Sequence, residues 1–212
     1  MKKNILAILM VLTMAVLSGC GMSEEEASEY VQASLDAAYK GEFDAFVEIT
    51  DSTPEGAKAM YEENIVHTME AAGFKDLNIS EELHMKYEQL FLELAKAADY
   101  TVGEAVKTEA DDLAVEVMVR PLTIFEDIDT EVTDALLERI SELDEQPEDS
   151  EIIEMSFDEM HRILSKRLET PSYSEKQIAV TIHVHKNEEN MYAISEDDML
   201  KLDGILFTVS EE

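Results

Sequence analysis

The spacing of apolar residues changes period four times along the chain, and this restricts the fold more than any other feature. Between Ala27 and Leu94 apolar residues recur every three or four positions, the pattern of amphipathic helices. Ala27, Tyr30, Val31, Leu35, Ala38 and Tyr39 form a first stripe that should end at Lys40-Gly41. Ser23 with Glu26 reads as a capping box at its start. A second short helix is expected over 42–49, with Phe43, Phe46 and Val47 inward. Thr53-Pro54-Glu55 opens a third helix, with proline at its first position, and Gly73 stops it. Ser80 with Glu81 and Glu82 opens a fourth, carrying Leu83, Tyr87, Leu90, Phe91 and Leu94.

The period then drops to two. Tyr100, Val102, Ala105 and Val106 alternate loosely, and Leu113, Val115, Val117 and Val119 alternate cleanly, with Asp111-Asp112 between the runs. This predicts an antiparallel hairpin with one buried face. Helical spacing returns over 129–169, with Val132, Leu136, Ile140 and Leu143 in one stripe and Met155, Met160, Ile163, Leu164 and Leu168 in another. Residues 146–150 should break the two, and residues 156–159 should cap the second. A second hairpin follows, with Ile178, Val180, Ile182 and Val184 alternating up to a turn at 187–190. Residues 195–198 cap a last helix bearing Met199, Leu200 and Leu202. The expected fold class is α+β: N-terminal helices on a curved antiparallel sheet, with a helical pair inserted between two hairpins.

Ahead of all this lies a different kind of segment. Lys2 and Lys3 precede an apolar run over 5–17, interrupted only by Thr13, and no acid occurs before Glu24. The run is too short to span a bilayer, which takes about 20 apolar residues, and has the form of a signal-peptide core. It ends in Leu17-Ser18-Gly19-Cys20, which resembles the lipobox of bacterial lipoproteins. The resemblance implies diacylglycerol transfer to the Cys20 thiol and cleavage between Gly19 and Cys20. Cys20 is the single cysteine of the chain. Lipidation accounts for it and removes thiol chemistry from the list of functions. The expected organisation is a cleaved signal over 1–19, a lipidated connector over 20–23, and one acidic domain over 24–212. The expected location is the outer face of the cytoplasmic membrane.

Charge narrows the partners. The chain carries 49 acids against 16 basic residues, a formal net charge of −33, and loss of Lys2 and Lys3 with the signal takes this to −35. Nucleic-acid binding needs a basic footprint and is excluded, and anionic headgroups would be repelled. The expected partners are the membrane, through the lipid, and a protein or small molecule.

Glu42-Phe43-Asp44, Arg120-Pro121-Leu122-Thr123-Ile124, and the ending Asn190-Met191-Tyr192-Ala193-Ile194-Ser195 leading to Met199-Leu200-Lys201-Leu202-Asp203-Gly204 carry a further likeness. Together they resemble small Gram-positive lipoproteins with an NTF2-like (cystatin-like) domain, of the uncharacterised DUF5105 type. Such families usually place a tryptophan in the last strand, where this chain has Tyr192. The resemblance implies a helix-covered cone and no defined chemistry, because one fold hosts many functions.

Residues capable of chemistry are few. His183 and His185 share one face of a strand and could hold Zn²⁺ or Cu²⁺ with a third ligand from elsewhere. No further Cys or His lies nearby in sequence, which favours two solvent-facing residues on the polar face of an amphipathic strand over a metal site. His67, His84 and His161 are scattered over helices, His161 on a charged and exposed stretch. The acidic clusters lack calcium-loop spacing and favour helix starts, where carboxylates meet the positive end of the dipole. No nucleophile elbow, zinc-protease motif or phosphate loop is present, so no residue is singled out as catalytic or cofactor-binding, and no cofactor is expected. Met60, Met69, Met85, Met155 and Met160 read as core filling. Three functions stay open: a non-enzymatic binding module, an enzyme using the cone pocket, and an acidic cation-handling envelope protein.

Overall fold

The computed structural model describes residues 21–108, 112–188 and 190–208. The first helix, α1 (Glu24–Leu35), starts at the Ser23–Glu26 capping box and runs into a π-helical turn, Asp36–Lys40, which Gly41 ends at φ 68°. Then come α2 (Asp44–Thr50), α3 (Pro54–Ala71), a 3₁₀ turn (Phe74–Asp76) and α4 (Glu81–Lys96). The first hairpin is β1 (Asp99–Lys107) with β2 (Leu113–Arg120), and the inserted pair is α5 (Ile128–Ser141) with α6 (Asp149–Leu168). The chain continues with β3 (Ile178–Lys186), β4 (Tyr192–Ile194) and α7 (Glu196–Leu206). The architecture is α+β, with seven α-helices and a four-stranded antiparallel sheet among the described residues.

The strands lie in chain order, β1-β2-β3-β4. Val115 stands opposite Ile182 and Val117 opposite Val180, so the alternation read from the sequence becomes one continuous apolar face. Helices α1 and α7 cover that face, α1 over β1 and β2, α7 over β2 and β3. Glu116, Thr181 and His183 point to the opposite, exposed face. The loose alternation of β1 is a bulge between Val102 and Ala105. A side chain at Gly103 would lie 2.9 Å from the Glu116 carbonyl oxygen, so the bulge requires glycine for close approach of the strands.

Side chains cap part of each side of the sheet. On β1, the Ala105 N–H donates to Ser28 Oγ (2.8 Å) and the Lys107 N–H to Glu24 Oε1 (3.1 Å), both from α1. Beyond the short β4, the His183 N–H donates to Asp198 Oδ2 (3.0 Å) of α7.

The inserted pair packs through α6 onto α4 rather than onto the sheet. Phe74 stacks with Tyr87, Phe91 and Phe157 at centroid distances of 4.6, 5.5 and 5.7 Å. Lys86 of α4 and Arg139 of α5 converge on Asp158 of α6 at 3.5 and 2.9 Å. Two expectations are corrected here. The second short helix begins at Asp44 rather than 42. Helix α6 begins at Asp149, not at 156–159, because Glu151 Oε2 accepts the Glu148 N–H (2.9 Å) and caps the helix earlier. Ser156 lies inside it.

Candidate functional site

The π turn at the end of α1 collects the polar groups of the molecule's interior. A π turn holds an extra residue and rotates the downstream chain relative to the helix before it. Asp36, Tyr39 and Lys40 consequently reach three different elements. The Tyr100 hydroxyl of β1 donates to Asp36 Oδ1 (2.7 Å), and the Gln32 amide donates to both Asp36 oxygens (2.9 and 2.8 Å). The Tyr39 hydroxyl donates to Asp203 of α7 (2.6 Å), a fully buried carboxylate. The Lys40 ammonium donates to the Lys96 carbonyl (2.8 Å) and to that of Ala98, where α4 ends, and lies 5.5 Å from the Tyr100 ring centroid. A cation at a helix C-terminus satisfies carbonyls the helix leaves free.

Beside this turn an open groove of about 610 Å³ runs between α1, α2 and β1. Ala33, Ala45, Ile49 and Val102 form its apolar walls, and Gln32 and Asp36 its polar floor. Glu29 and Glu48 stand on its sides, and no basic side chain is among the residues lining it. The phenols near the π turn are donors rather than acids. Burial and the Asp36 carboxylate push Tyr100 far above the ordinary tyrosine value, and burial with Asp203 does the same for Tyr39. Burial raises Tyr30 to about 12. A protonated phenol held by a carboxylate orients that carboxylate and supplies no nucleophile or base. The groove therefore offers fixed acceptors between apolar walls, suited to holding a group that donates hydrogen bonds or carries positive charge.

A second cavity, about 810 Å³, lies at the α5–α6 turn between Leu143 and Met155. It gathers Glu145, Glu148, Glu151 and Glu154 from one stretch of chain, and Glu154 accepts the Ser80 N–H (2.8 Å) from the start of α4.

Neither the family models nor the curated proteins contain a match to this chain. Among solved structures, the crystal structure of ycdA, a candidate lipoprotein from Bacillus subtilis subsp. subtilis str. 168, aligns with a TM-score of 0.60 at 14% identity. The chain shares its fold with ycdA. The alignment covers 85% of this chain and 56% of ycdA, so the chain spans just over half the length of that neighbour.

Gly19, Cys20 and Asp111 lie outside the described residues. Among the described residues, Met22 ties the start of the chain to β4 through its N–H on the Tyr192 hydroxyl (2.9 Å). Of the histidine pair, His183 is exposed but engaged: its Nδ1 lies 2.7 Å from Asp198 Oδ2, whose other oxygen accepts from Lys201 (2.9 Å). His185 is half-buried. Among the described residues, no three His, Cys, Asp or Glu side chains are placed to hold a metal.

Two expectations fail at the level of single residues. His161 is not on an exposed charged face. It is half-buried edge-on to Tyr87 (5.7 Å), and burial lowers its pKa. Met85 is not core filling, being 58% exposed, whereas Met69 is buried. Sequence reasoning also missed Asp36, Asp198 and Asp203. All three sit in helical stretches among many acids, and only their partners, 15 to 164 residues away in sequence, set them apart.

Proposed function

We propose that the chain is an extracytoplasmic lipoprotein, held to the outer face of the cytoplasmic membrane by lipid on Cys20, whose domain is a non-enzymatic binding module. One observation carries this reading. Met22, two residues after Cys20, is already tied to the domain, its N–H on the Tyr192 hydroxyl, and the capping box follows at Ser23. A lipid on Cys20 would thus hold the domain directly at the bilayer, with no stalk. The description of ycdA as a candidate lipoprotein agrees with it, and no helix among the described residues is long and apolar enough to cross a membrane. The NTF2-like, DUF5105-type resemblance belongs to the same reading. Two acyl chains give stable anchoring, since each buried CH₂ contributes about 0.8 kcal/mol. Cys20→Ala should abolish incorporation of radioactive palmitate and shift the protein out of the membrane fraction. Unchanged labelling would overturn the anchor.

Binding is placed in the groove between α1, α2 and β1. Its oriented Asp36 acceptor, apolar walls and lack of basic lining favour a ligand such as a lysine- or arginine-bearing peptide segment. Titrating the domain with a short lysine-rich peptide should shift the amide resonances of Gln32, Asp36, Glu48 and Val102, and Asp36→Asn should suppress those shifts. Shifts spread over the whole acidic surface would mean nonspecific attraction and defeat the assignment.

A further inference from the structure

We propose that the tips of the two hairpins face the bilayer, with Tyr192 at headgroup level, and that the α5–α6 pair points away from it. This rests on the reading of Cys20 as the lipidated residue.

The argument begins with reach. Two residues of extended chain span at most about 7 Å, and the Met22 N–H is bonded to the Tyr192 hydroxyl at 2.9 Å. Tyr192 therefore cannot stand far from the lipid-bearing residue. Tyr192 opens β4 opposite Lys186, the last residue of β3, and the turn between them is closed by the Asn187 N–H on the Met191 carbonyl (2.8 Å). The second hairpin tip is thus at the anchor. So is the first: Lys107 ends β1, and its N–H donates to Glu24 in the opening turn of α1, one residue past the capping serine. The start of α1 and both tips occupy one end of the sheet.

The inserted pair leaves from the other end. It departs after Arg120, which stands opposite Asp99 at the start of β1, and returns at Ile178, opposite Val119. One strand length, about 25 Å for eight residues, separates these positions from the tips.

Side-chain chemistry at the tip suits a headgroup layer. The Lys186 ammonium lies 5.2 Å from the Tyr192 ring centroid, and a phenol and a long-stemmed cation both favour the membrane–water boundary. Glu24, Glu25 and Glu188 share this end, so attraction to anionic lipid is not what seats it. The short tether is. On the helical pair, Leu137, Leu143 and Ile153 are 61, 45 and 43% exposed.

The test uses the full lipidated protein in phosphatidylcholine vesicles carrying a trace of headgroup-labelled acceptor lipid. With Cys20 acylated, Glu188→Cys and Glu142→Cys each introduce one free thiol for a donor fluorophore, at the tip and on the distal pair. Energy transfer to the lipid should be several-fold greater from position 188 than from 142. Equal transfer, or the reverse order, with the Cys20 adduct confirmed by mass spectrometry, overturns the orientation and leaves the anchor standing. Absence of the adduct overturns the anchor itself, and the orientation with it.

Discussion

Asp198 shows how a single carboxylate can close a sheet. It is buried, which alone would raise its pKa, but hydrogen bonds from His183 and Lys201 more than offset that and hold the value below the usual carboxylate range. A pKa lower in the folded than in the unfolded chain means that Asp198 stabilises the fold above the unfolded carboxylate range. The contribution is lost as pH falls through the folded value. Asp198→Asn should therefore cost about 1–3 kcal/mol at neutral pH, with the gap to wild type narrowing below about pH 4. Urea denaturation at several pH values checks both, and a gap that stayed constant down to acid pH would refute the electrostatic account. None of this was legible beforehand. The strand period correctly put His183 on the outer face, but its partner fifteen residues on, beyond the end of β4, is a product of tertiary geometry. Tyr39 and Asp203, 164 residues apart, are the extreme case.

Elements were more legible than residues, and the reasons differ from place to place. Caps at Ser23, Thr53, Ser80 and Ser195 are local chemistry, and each starts a helix where the sequence placed it. The bulge in β1 was visible as imperfect alternation, though not recognisable as a bulge until Gly103 was seen against Glu116. The π turn was invisible. Leu35, Ala38 and Tyr39 fit ordinary helical spacing, and a one-residue slip within a single turn leaves that spacing intact. The start of α6 was misplaced because Ser156 to Glu159 reads as a cap with an acidic first turn, although these residues lie inside the helix. The bulge yields a direct test. Gly103→Ala puts a methyl 2.9 Å from a backbone oxygen that cannot swing aside. Thermal unfolding should show a loss of about 1–3 kcal/mol, the usual cost of overpacking, and a neutral result would mean that the two strands part freely at that point.

For the whole molecule, charge is the dominant field. A chain at −33 repels itself in the compact state, and its described ion pairs lie largely at the surface, where each contributes little. Repulsion should therefore outweigh pairing. Raising ionic strength from about 0.01 to about 1 M shortens the screening length from about 30 to about 3 Å, and the melting temperature should rise across that range. A fall would show the ion pairs to be the larger effect. The α+β class was readable at this scale because helical and alternating segments are segregated along the chain, and short connections leave few ways to join them. The groove was not readable, since it is assembled from α1, α2 and β1 across more than seventy residues.

On the proposed lipid anchor, the capped edges of the sheet would acquire a meaning that they lack in solution. Molecules tethered by lipid diffuse in two dimensions, where neighbours meet repeatedly and in nearly the same orientation. Bare strand margins meeting that way would zip together into ribbons. Ser28 and Glu24 on one margin and Asp198 on the other occupy three of the donors such growth would use, so molecules held by the proposed anchor would be hindered from joining edge to edge.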